Sequence, residues 1–325
     1  MYLRNKEVSG KLYWSLVESY RDNGAVKQRI VESLGNTETA FAVLSQRGNC
    51  NDLVKKIESH LPLPSKSPLI WFGGKGKTAK HILKHMPVHT CYVEPFGGAA
   101  HVIAQKHSVY AEVYNDIDGD LINFLMVARD KTQELYYRCD SLPYSRELFQ
   151  RFRAESVHLD PVEKAVRFFY LNRSGIAKGN SKSSFSRNTG WRSSKEHNTA
   201  RTYSAACEII IRFARRMKNV MIENRDFRDI FRIYDGEDTL FYVDPPYVGR
   251  EKYYTGGFSE KDHRDLSSIL NNIKGKAIVS YYDDPLLYEL YTGWRRISFK
   301  AARQVVNGKD NTVTELLLMN FLSNI

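Results

Sequence analysis

The stretch Leu240-Phe241-Tyr242-Val243-Asp244-Pro245-Pro246-Tyr247 decides how the rest of the chain is interpreted. Its first four residues are apolar or aromatic, which predicts a strand buried on both faces. The two prolines end that strand, because proline cannot donate a ladder hydrogen bond and fixes its own φ angle. Ligands of α/β sheets usually bind where strands end. We therefore expect Asp244, the Pro245 carbonyl and the Tyr247 ring at the mouth of a ligand site.

These three groups suit the recognition of an amino-substituted base. An exocyclic amino group needs two acceptors for its two N–H bonds, and the base ring needs a flat partner on which to stack. A strand that ends in an ordinary Pro-Pro turn would have the same residues without any chemistry. Other parts of the chain must therefore decide between the two interpretations.

Length, charge and cysteine content restrict the class of protein. The chain has 325 residues, 42% of them hydrophobic, and a formal net charge of +11. A chain of this length can bury a sizeable core, and its basic excess favours a nucleic acid over a membrane surface as partner. The four cysteines are far apart and form no metal-ligand pairs, and residues 1–10 have no apolar core. We therefore expect a reduced cytoplasmic protein without a signal peptide or a metal.

A proline-rich linker, residues 61–68, divides the chain. Residues 1–62 are predicted to form a small N-terminal α+β module of unknown role, with strand-like runs on both sides of Asp22-Asn23-Gly24 and a helix that opens near Thr37. This segment also resembles the hairpin at the start of some transposases. Residues 66–325 are predicted to form the second domain.

Acidic and glycine-rich segments follow several predicted strands of this second domain. Strand 90–94 runs into Pro95-Phe96-Gly97-Gly98, and such a strand, glycine turn and helix open a nucleotide-binding sheet. The next strand ends at Asp116, where an acid commonly holds ribose hydroxyls, although an acidic helix cap is the alternative. A later strand ends in Asp226-Phe227. Gly76-Lys77-Thr78 is not a phosphate loop, because Trp71 stands where that loop needs its first glycine.

Periodicity predicts the remaining elements. The predicted helices span residues 79–86, 121–138, 161–170 and 259–273, and the remaining predicted strands span 219–223, 276–282, 294–299 and 314–321. The polar connection between the last two strands lacks the pattern of a crossover helix. We therefore predict that these two strands form an antiparallel hairpin.

The segment from Arg173 to Arg201 is strongly basic, with seven Lys and Arg residues against the single acid Glu196. Basic side chains can contact phosphate, and interleaved aromatic side chains can stack on or wedge between bases. A flexible surface loop explains the same composition equally well. The predicted DNA-binding residues are Asn172, Arg173, Lys178, Lys182, Arg187, Arg192 and Lys195.

Taken in order, the motifs resemble those of the Dam-type (D12 class) DNA adenine-N6 methyltransferases, over about residues 69–321. The similar segments are Trp71-Phe72-Gly73-Gly74-Lys75, Val93-Glu94-Pro95-Phe96-Gly97-Gly98-Ala99, Asn115-Asp116-Ile117, Phe168-Phe169-Tyr170-Leu171-Asn172-Arg173, Asp226-Phe227 and Asp244-Pro245-Pro246-Tyr247. The chain departs from that family in two places. Residues 174–201 do not closely match the recognition loop of enzymes that methylate GATC, and the first sixty residues have no counterpart in the minimal family.

The resemblance implies an α/β fold, a Rossmann-like methyltransferase with a mixed sheet, an antiparallel last hairpin and an inserted helical and loop target-recognition region at about 130–205. It implies S-adenosylmethionine as cofactor, double-stranded DNA as partner, no metal and no membrane, and we expect a monomer. The implied catalytic residues are Asp244, Pro245, Pro246 and Tyr247. The implied cofactor-binding residues are Trp71, Gly74, Lys75, Glu94, Pro95, Phe96, Gly97, Gly98, Asp116, Asp226 and Phe227.

Two alternatives stay open at this point. Net charge cannot separate DNA from RNA, so the resemblance also permits an RNA adenine methyltransferase. A catalytically idle DNA-binding regulator could keep the same fold, although an idle site would be free to lose Asp244 and the Gly97-Gly98 pair. Enzymes that act on cytosine N4 usually have Ser at the position of Asp244, and those that act on protein glutamine have Asn.

Overall fold

The computed structural model describes residues 1–45, 47, 49–154, 160–177, 188–251, 256–302 and 312–322. The strands, in chain order, are β1 (Tyr2–Val8), β2 (Lys11–Asp22), β3 (Ala25–Asn36), β4 (Cys91–Glu94), β5 (Ala111–Asn115), β6 (Gly175–Ala177), β7 (Asn188–Trp191), β8 (Met221–Glu223), β9 (Thr239–Val243), β10 (Lys276–Tyr282), β11 (Arg295–Ala302) and β12 (Thr312–Met319). The helices are α1 (Thr37–Ser45), α2 (Asn51–Glu58), α3 (Ala79–Leu83), α4 (His101–Gln105), α5 (Gly119–Asp130), α6 (Thr132–Asp140), α7 (Arg146–Ala154), α8 (Pro161–Ser174), α9 (Thr199–Met217), α10 (Phe227–Tyr234), α11 (Glu260–Leu270) and α12 (Leu286–Leu290).

A mixed sheet with the strand order β11-β12-β10-β9-β4-β5-β8 forms the framework of the molecule. Neighbouring strands from β10 to β8 are parallel, whereas β12 runs antiparallel to both β10 and β11. Antiparallel strands can be joined by a short connection, while a parallel crossover needs about a dozen residues or more. The α/β class and the antiparallel last hairpin are therefore confirmed.

The strand β9 lies in the middle of this sheet and is buried along its whole length. Leu240 and Tyr242 point into the apolar core on one face, and Phe241 and Val243 point into the core on the other. Because side chains alternate between faces, a strand covered on both sides must be apolar at every position. Burial on both faces explains the continuous apolar run and places Asp244 at the carboxyl edge of the sheet.

Several helix predictions need correction in their bounds. The predicted helix 121–138 is two helices, α5 and α6, because the chain leaves the helical conformation at Lys131, with φ −125° and ψ 37°. The Thr132 hydroxyl donates to the Ala128 carbonyl at 2.7 Å, a local bond that competes with continuation of the helix. The predicted helix 79–86 is the short α3, which ends at Leu83. Among the described residues, no helix is both long and apolar enough to cross a membrane.

A buried ion cluster fastens α9 to the start of β5. The Arg216 guanidinium donates to both carboxylate oxygens of Glu112, at 2.7 and 2.8 Å, and its Nε donates to the Lys106 carbonyl at 3.0 Å. The Lys106 ammonium contacts the same carboxylate at 3.2 Å. All three side chains are buried, so the cluster keeps two positive charges and one negative charge out of water. Removal of one partner would therefore leave an uncompensated charge.

The N-terminal segment has a three-stranded antiparallel sheet, β1-β2-β3, that packs on α1 and α2. The predicted hairpin is confirmed, because Asp22 pairs with Ala25 and both turn residues, Asn23 and Gly24, have positive φ. The strand β1 was not predicted. A Glu58 carboxylate oxygen lies 3.3 Å from Nε2 of His107. His107 precedes β5, so it lies near the amino ends of the parallel strands, whereas Asp244 lies at their carboxyl ends. Division of the chain at residues 62–66 is retained as a proposal.

Candidate active site

The carboxyl ends of β4, β5, β8 and β9 open into one cleft, which encloses about 1150 Å³ including its open mouth. All the residues predicted to bind a cofactor line this cleft: Trp71, Gly74, Lys75, Glu94, Pro95, Phe96, Gly97, Gly98, Asp116, Asp226 and Phe227. Asp244 and Pro246 line it as well. The fold thus brings together residues from most of the chain, because parallel strands place their carboxyl ends at one edge.

The turn after β4 brings bare backbone to the wall of the cleft. A Cβ atom on Gly97 would lie 2.0 Å from the Tyr114 ring, and one on Gly98 would lie 2.9 Å from the Trp71 indole. Gly98 also has φ +49°, and the Gly97 N–H donates to the Asn115 carbonyl at 2.8 Å. A side chain at Gly97 has no room, so the turn requires glycine there.

The end of β5 is tied to this glycine turn by Asp116. Its carboxylate accepts from the backbone N–H groups of Gly98, at 2.8 Å, and of Asp118, at 2.9 Å. The cap of helix α5 is the neighbouring Asp118, whose side chain accepts from Asp120 and Leu121. The helix-cap interpretation therefore applies to Asp118, and Asp116 faces the cleft.

Three phenylalanine rings form an apolar enclosure at the other end of the cleft. The ring centroids of Phe96 and Phe227 are 5.3 Å apart, and Phe258 lies 5.8 Å from each. Phe258 was not predicted as a site residue. Its position between Gly256-Gly257 and the start of α11 could have indicated an aromatic residue on a turn near the site. Asp226 caps α10 by accepting from the Arg228 N–H at 2.9 Å, so its carboxylate is held beside these rings.

On the floor of the cleft, Lys75 contacts Asp244. The Lys75 ammonium donates to an Asp244 carboxylate oxygen at 2.8 Å, to the Gly73 carbonyl at 2.9 Å and to the Tyr247 hydroxyl at 2.9 Å. Lys75 is only 5% exposed. A buried ammonium group is stable only when acceptors replace its water, and the carboxylate and the two oxygens do so here.

A second buried carboxylate, Glu315 on β12, lies against the same lysine at 3.0 Å. It also accepts from the Tyr247 hydroxyl at 2.8 Å and from the Ser280 hydroxyl at 2.9 Å. Neither Glu315 nor Ser280 was predicted as a site residue. In the sequence, Glu315 could have been noticed as the single acid within the predicted strand 314–321, because buried strands usually have apolar residues.

Burial alters the protonation of two carboxyl groups in the cleft. Desolvation raises the pKa of Asp244 to about 6, opposed by the nearby Lys75 ammonium and assisted by repulsion from Glu315. Desolvation also raises the pKa of Glu94 to about 8, and the Tyr92 hydroxyl donates to Glu94 at 2.7 Å. At neutral pH Asp244 is therefore mainly ionised and Glu94 mainly protonated. Within the described ranges, no group of three or more His, Cys, Asp or Glu side chains is arranged to hold a metal ion.

The Tyr247 ring is packed inside the protein. It is 4% exposed and lies 5.5 Å from the Tyr281 ring and 4.5 Å from the Tyr282 ring, measured between centroids. In this conformation the ring is not open to a ligand, so the predicted stacking on a base would require its neighbours to move. Its hydroxyl, by contrast, is already part of the Lys75 cluster.

The predicted DNA-binding residues have different surroundings. The Asn172 side chain accepts from the Ile70 N–H at 2.9 Å and donates to the Ile70 carbonyl at 2.7 Å, so it holds the segment before Trp71 in place. Arg173 donates to the Thr202 carbonyl, and burial lowers its pKa to about 10. Arg192 donates to the Gly175 carbonyl, and Lys195 is exposed. The remaining three, Lys178, Lys182 and Arg187, lie outside the described residues.

Comparison with known proteins gives two family matches. Residues 71–305 match the model of the D12 class N6 adenine-specific DNA methyltransferases. Residues 3–60 match the N-terminal domain of the IS1634 family transposases. The first match contains every residue of the cleft named above except Glu315, and the second contains most of the N-terminal segment.

Three relatives illustrate the similarity. The chain is 28% identical over 271 residues to the DNA adenine methylase of Salmonella typhi, an alignment that covers 77% of this chain and 94% of the relative. It is 29% identical over 268 residues to the retron Ec67 DNA adenine methylase of Escherichia coli, covering 78% and 90%. It is 25% identical over 264 residues to the type II methyltransferase M.CviBI of Paramecium bursaria Chlorella virus NC1A, covering 77% and 98%.

Proposed function

The chain belongs to the D12 class N6 adenine-specific DNA methyltransferases, and on this premise we propose how its residues divide the work of methylating adenine. We propose S-adenosylmethionine as the methyl donor. We also propose that the target adenine is flipped out of the duplex, because its amino group cannot be reached while the base is stacked. The observation that carries the proposal is the ionised Asp244, held by Lys75 on the floor of the cleft.

The residues of the cleft fit S-adenosylmethionine. The enclosure of Phe96, Phe227 and Phe258 suits a purine ring, and Asp116 at the end of β5 suits ribose hydroxyls. The Gly97-Gly98 backbone at the cleft wall is proposed to lie along the methionine part of the cofactor. When bound, this cofactor supplies a methyl group activated by a positively charged sulfur. Trp71, Gly74, Lys75, Glu94, Pro95 and Asp226 are proposed to complete the binding site.

We expect Gly97→Ala to weaken binding of S-adenosylmethionine about 5- to 150-fold, since overpacking of a tight site costs about 1–3 kcal/mol and about 1.4 kcal/mol is tenfold in affinity. The reason is the 2.0 Å approach of the new Cβ to the buried Tyr114 ring, which forces the turn at the cleft wall or that ring to shift. Calorimetric titration measures the dissociation constant. Gly119→Ala is the matched control, because nothing lies within 4 Å of its Cβ position. Equal affinities for the two variants would contradict the proposed cradle.

The target amine is proposed to bind between Asp244 and the Pro245 carbonyl. The lone pair of adenine N6 is delocalised into the ring, so the amine is a weak nucleophile. Acceptance of one N–H by Asp244 and the other by Pro245 favours a pyramidal nitrogen with a localised lone pair. The Asp244 carboxylate also stabilises the positive charge that develops on this nitrogen. The chain thus contributes position and charge. Asp244 does not take up a proton during methyl transfer, and the nitrogen loses its extra proton only after it is methylated.

We expect kcat/KM for methyl transfer to fall about tenfold per pH unit below pH 6 and to level off above it, as for a single essential base. The direction follows because only the ionised form of Asp244 has the negative charge that stabilises positive charge on the target nitrogen, and burial raises its pKa to about 6. Steady-state rates between pH 4.5 and 7.5 test this expectation. A profile that stays flat from pH 5 to pH 7 would contradict it.

The partner is proposed to be duplex DNA, contacted by basic residues of the segment 173–201. Lys195 and Arg192 lie in the basic segment after β7, and the net charge of +11 favours a polyanion. Asn172 is engaged with the backbone of Ile70, so it supports the cleft wall beside Trp71, and Arg173 is engaged with the Thr202 carbonyl. A monomeric state and a cytoplasmic location stay predictions from the sequence.

One experiment tests the proposal as a whole. The protein is incubated with methyl-labelled S-adenosylmethionine and unmethylated duplex DNA, and the DNA is digested to nucleosides. We expect label in N6-methyladenine. Label that enters duplex RNA in a parallel reaction, and not DNA, would assign the RNA adenine alternative. DNA binding without transfer to either substrate would assign the idle regulator.

A further inference from the structure

We propose that Glu315 is a positioning residue for methyl transfer, which holds Lys75 and Tyr247 and gives the floor of the cleft a net negative charge. The proposal rests on the roles proposed above for Asp244 and Lys75. Glu315 is on β12, the antiparallel strand of the sheet, and lies outside the segment that matches the family model.

Glu315 contacts three polar side chains through a single carboxylate oxygen. One of its carboxylate oxygens accepts from Tyr247 at 2.8 Å and from Ser280 at 2.9 Å, and lies 3.0 Å from the Lys75 ammonium. The Tyr247 hydroxyl in turn accepts from Lys75 at 2.9 Å. The lysine is therefore held from two sides, by Asp244 on the cleft side and by Glu315 on the core side.

Charge explains why a carboxylate is needed there. With Asp244 alone, the Lys75 ammonium would form a simple ion pair with net charge zero, and its field would oppose positive charge on the target nitrogen. With Glu315 ionised, the three groups together have a net charge of −1. In a site of low dielectric constant, this difference acts strongly on a charge that develops a few ångströms away.

A purely structural role is the competing explanation. A glutamine could accept the hydroxyls of Tyr247 and Ser280 as glutamate does, so hydrogen bonding by itself does not demand a charge. The two explanations differ in their effect on Asp244, because repulsion by Glu315 is one of the causes that raise its pKa. The other groups that act on Asp244 are Lys75, Tyr247 from its own segment, Glu94 from β4, Tyr242 from β9 and Tyr281 from β10.

The test is Glu315→Gln in the full chain, measured as single-turnover methyl transfer to duplex DNA from pH 4.5 to 8. We expect the rate on the plateau to fall about tenfold, less than the about 10²- to 10³-fold effect of a group at the reacting atoms, because Glu315 acts through Lys75. We also expect the acidic limb of the profile to move to lower pH, because Asp244 loses a repelling neighbour. Affinity for S-adenosylmethionine should stay within about twofold, which also verifies that the variant folds.

Two further variants separate charge from structure. Glu315→Asp keeps the charge, so its acidic limb should stay at the wild-type pH even if its rate falls. Ser280→Ala removes one hydrogen-bond donor to Glu315 but keeps the Glu315 carboxylate, so the acidic limb of its profile should also stay at the wild-type pH. If Glu315→Gln lowers the rate without moving the limb, or leaves both unchanged, the proposal is wrong. Asp244→Ala run in parallel keeps the two proposals apart, since an active Asp244→Ala protein would overturn the proposed function itself.

Discussion

Asp244→Asn is expected to lower the rate of methyl transfer at pH 7.5 about 10²- to 10³-fold, the range for loss of a preorganised electrostatic group. The amide removes the charge that stabilises the developing positive nitrogen, and it presents an N–H₂ group where the target amine needs an acceptor. The substitution also removes the ion pair of Lys75 with residue 244 and leaves its ion pair with Glu315 in place. Single-turnover assays with labelled donor measure the effect.

The binding of S-adenosylmethionine by this variant should stay within about threefold of the wild-type value, because Gly97, Asp116 and the phenylalanine enclosure are unchanged. This pair of results identifies a defect in chemistry and excludes a folding defect. Glu208→Gln, an exposed change on α9, serves as the control and should keep the wild-type rate. A rate for Asp244→Asn within tenfold of wild type would refute the assignment of Asp244.

Arg216→Met is expected to lower the free energy of unfolding by about 3–5 kcal/mol, the range measured when one partner of a buried ion pair is removed. The variant leaves the buried Glu112 carboxylate with Lys106 at 3.2 Å in place of the two short guanidinium bonds. It also leaves the Lys106 carbonyl without its donor from Nε. Urea titration followed by circular dichroism should show a clear decrease in the midpoint.

Arg212→Met and Arg215→Met are the matched controls, because both arginines are exposed on the same helix. Their midpoints should stay close to wild type, since surface substitutions usually change stability by no more than about 0.5 kcal/mol. If Arg216→Met unfolds at the same urea concentration as these controls, the buried cluster of Arg216, Glu112 and Lys106 does not stabilise the fold as its geometry indicates.

Local patterns along the chain were enough to locate the strands of the seven-stranded sheet and the segments that follow them. A strand covered on both faces has to be apolar at each position, so 240–243 could be identified without knowledge of its neighbours. The turn at Asn23-Gly24 has an equally local cause, since both residues adopt positive φ. The residues of the cleft that were predicted lie within such contiguous segments, and all of the predicted cofactor-binding residues line the cleft.

Which side chains act together depends on contacts between segments that are far apart in the sequence. Lys75 and Asp244 are separated by 169 residues, and Tyr247 and Glu315 by 68, so no local pattern pairs them. Asn172 matched a motif, yet its amide is engaged with Ile70, 102 residues away. Pairing of β12 between β10 and β11 brings Glu315 under Lys75. Side-chain periodicity shows which face a residue occupies, whereas strand order, set by packing of the whole core, decides which residues meet on that face.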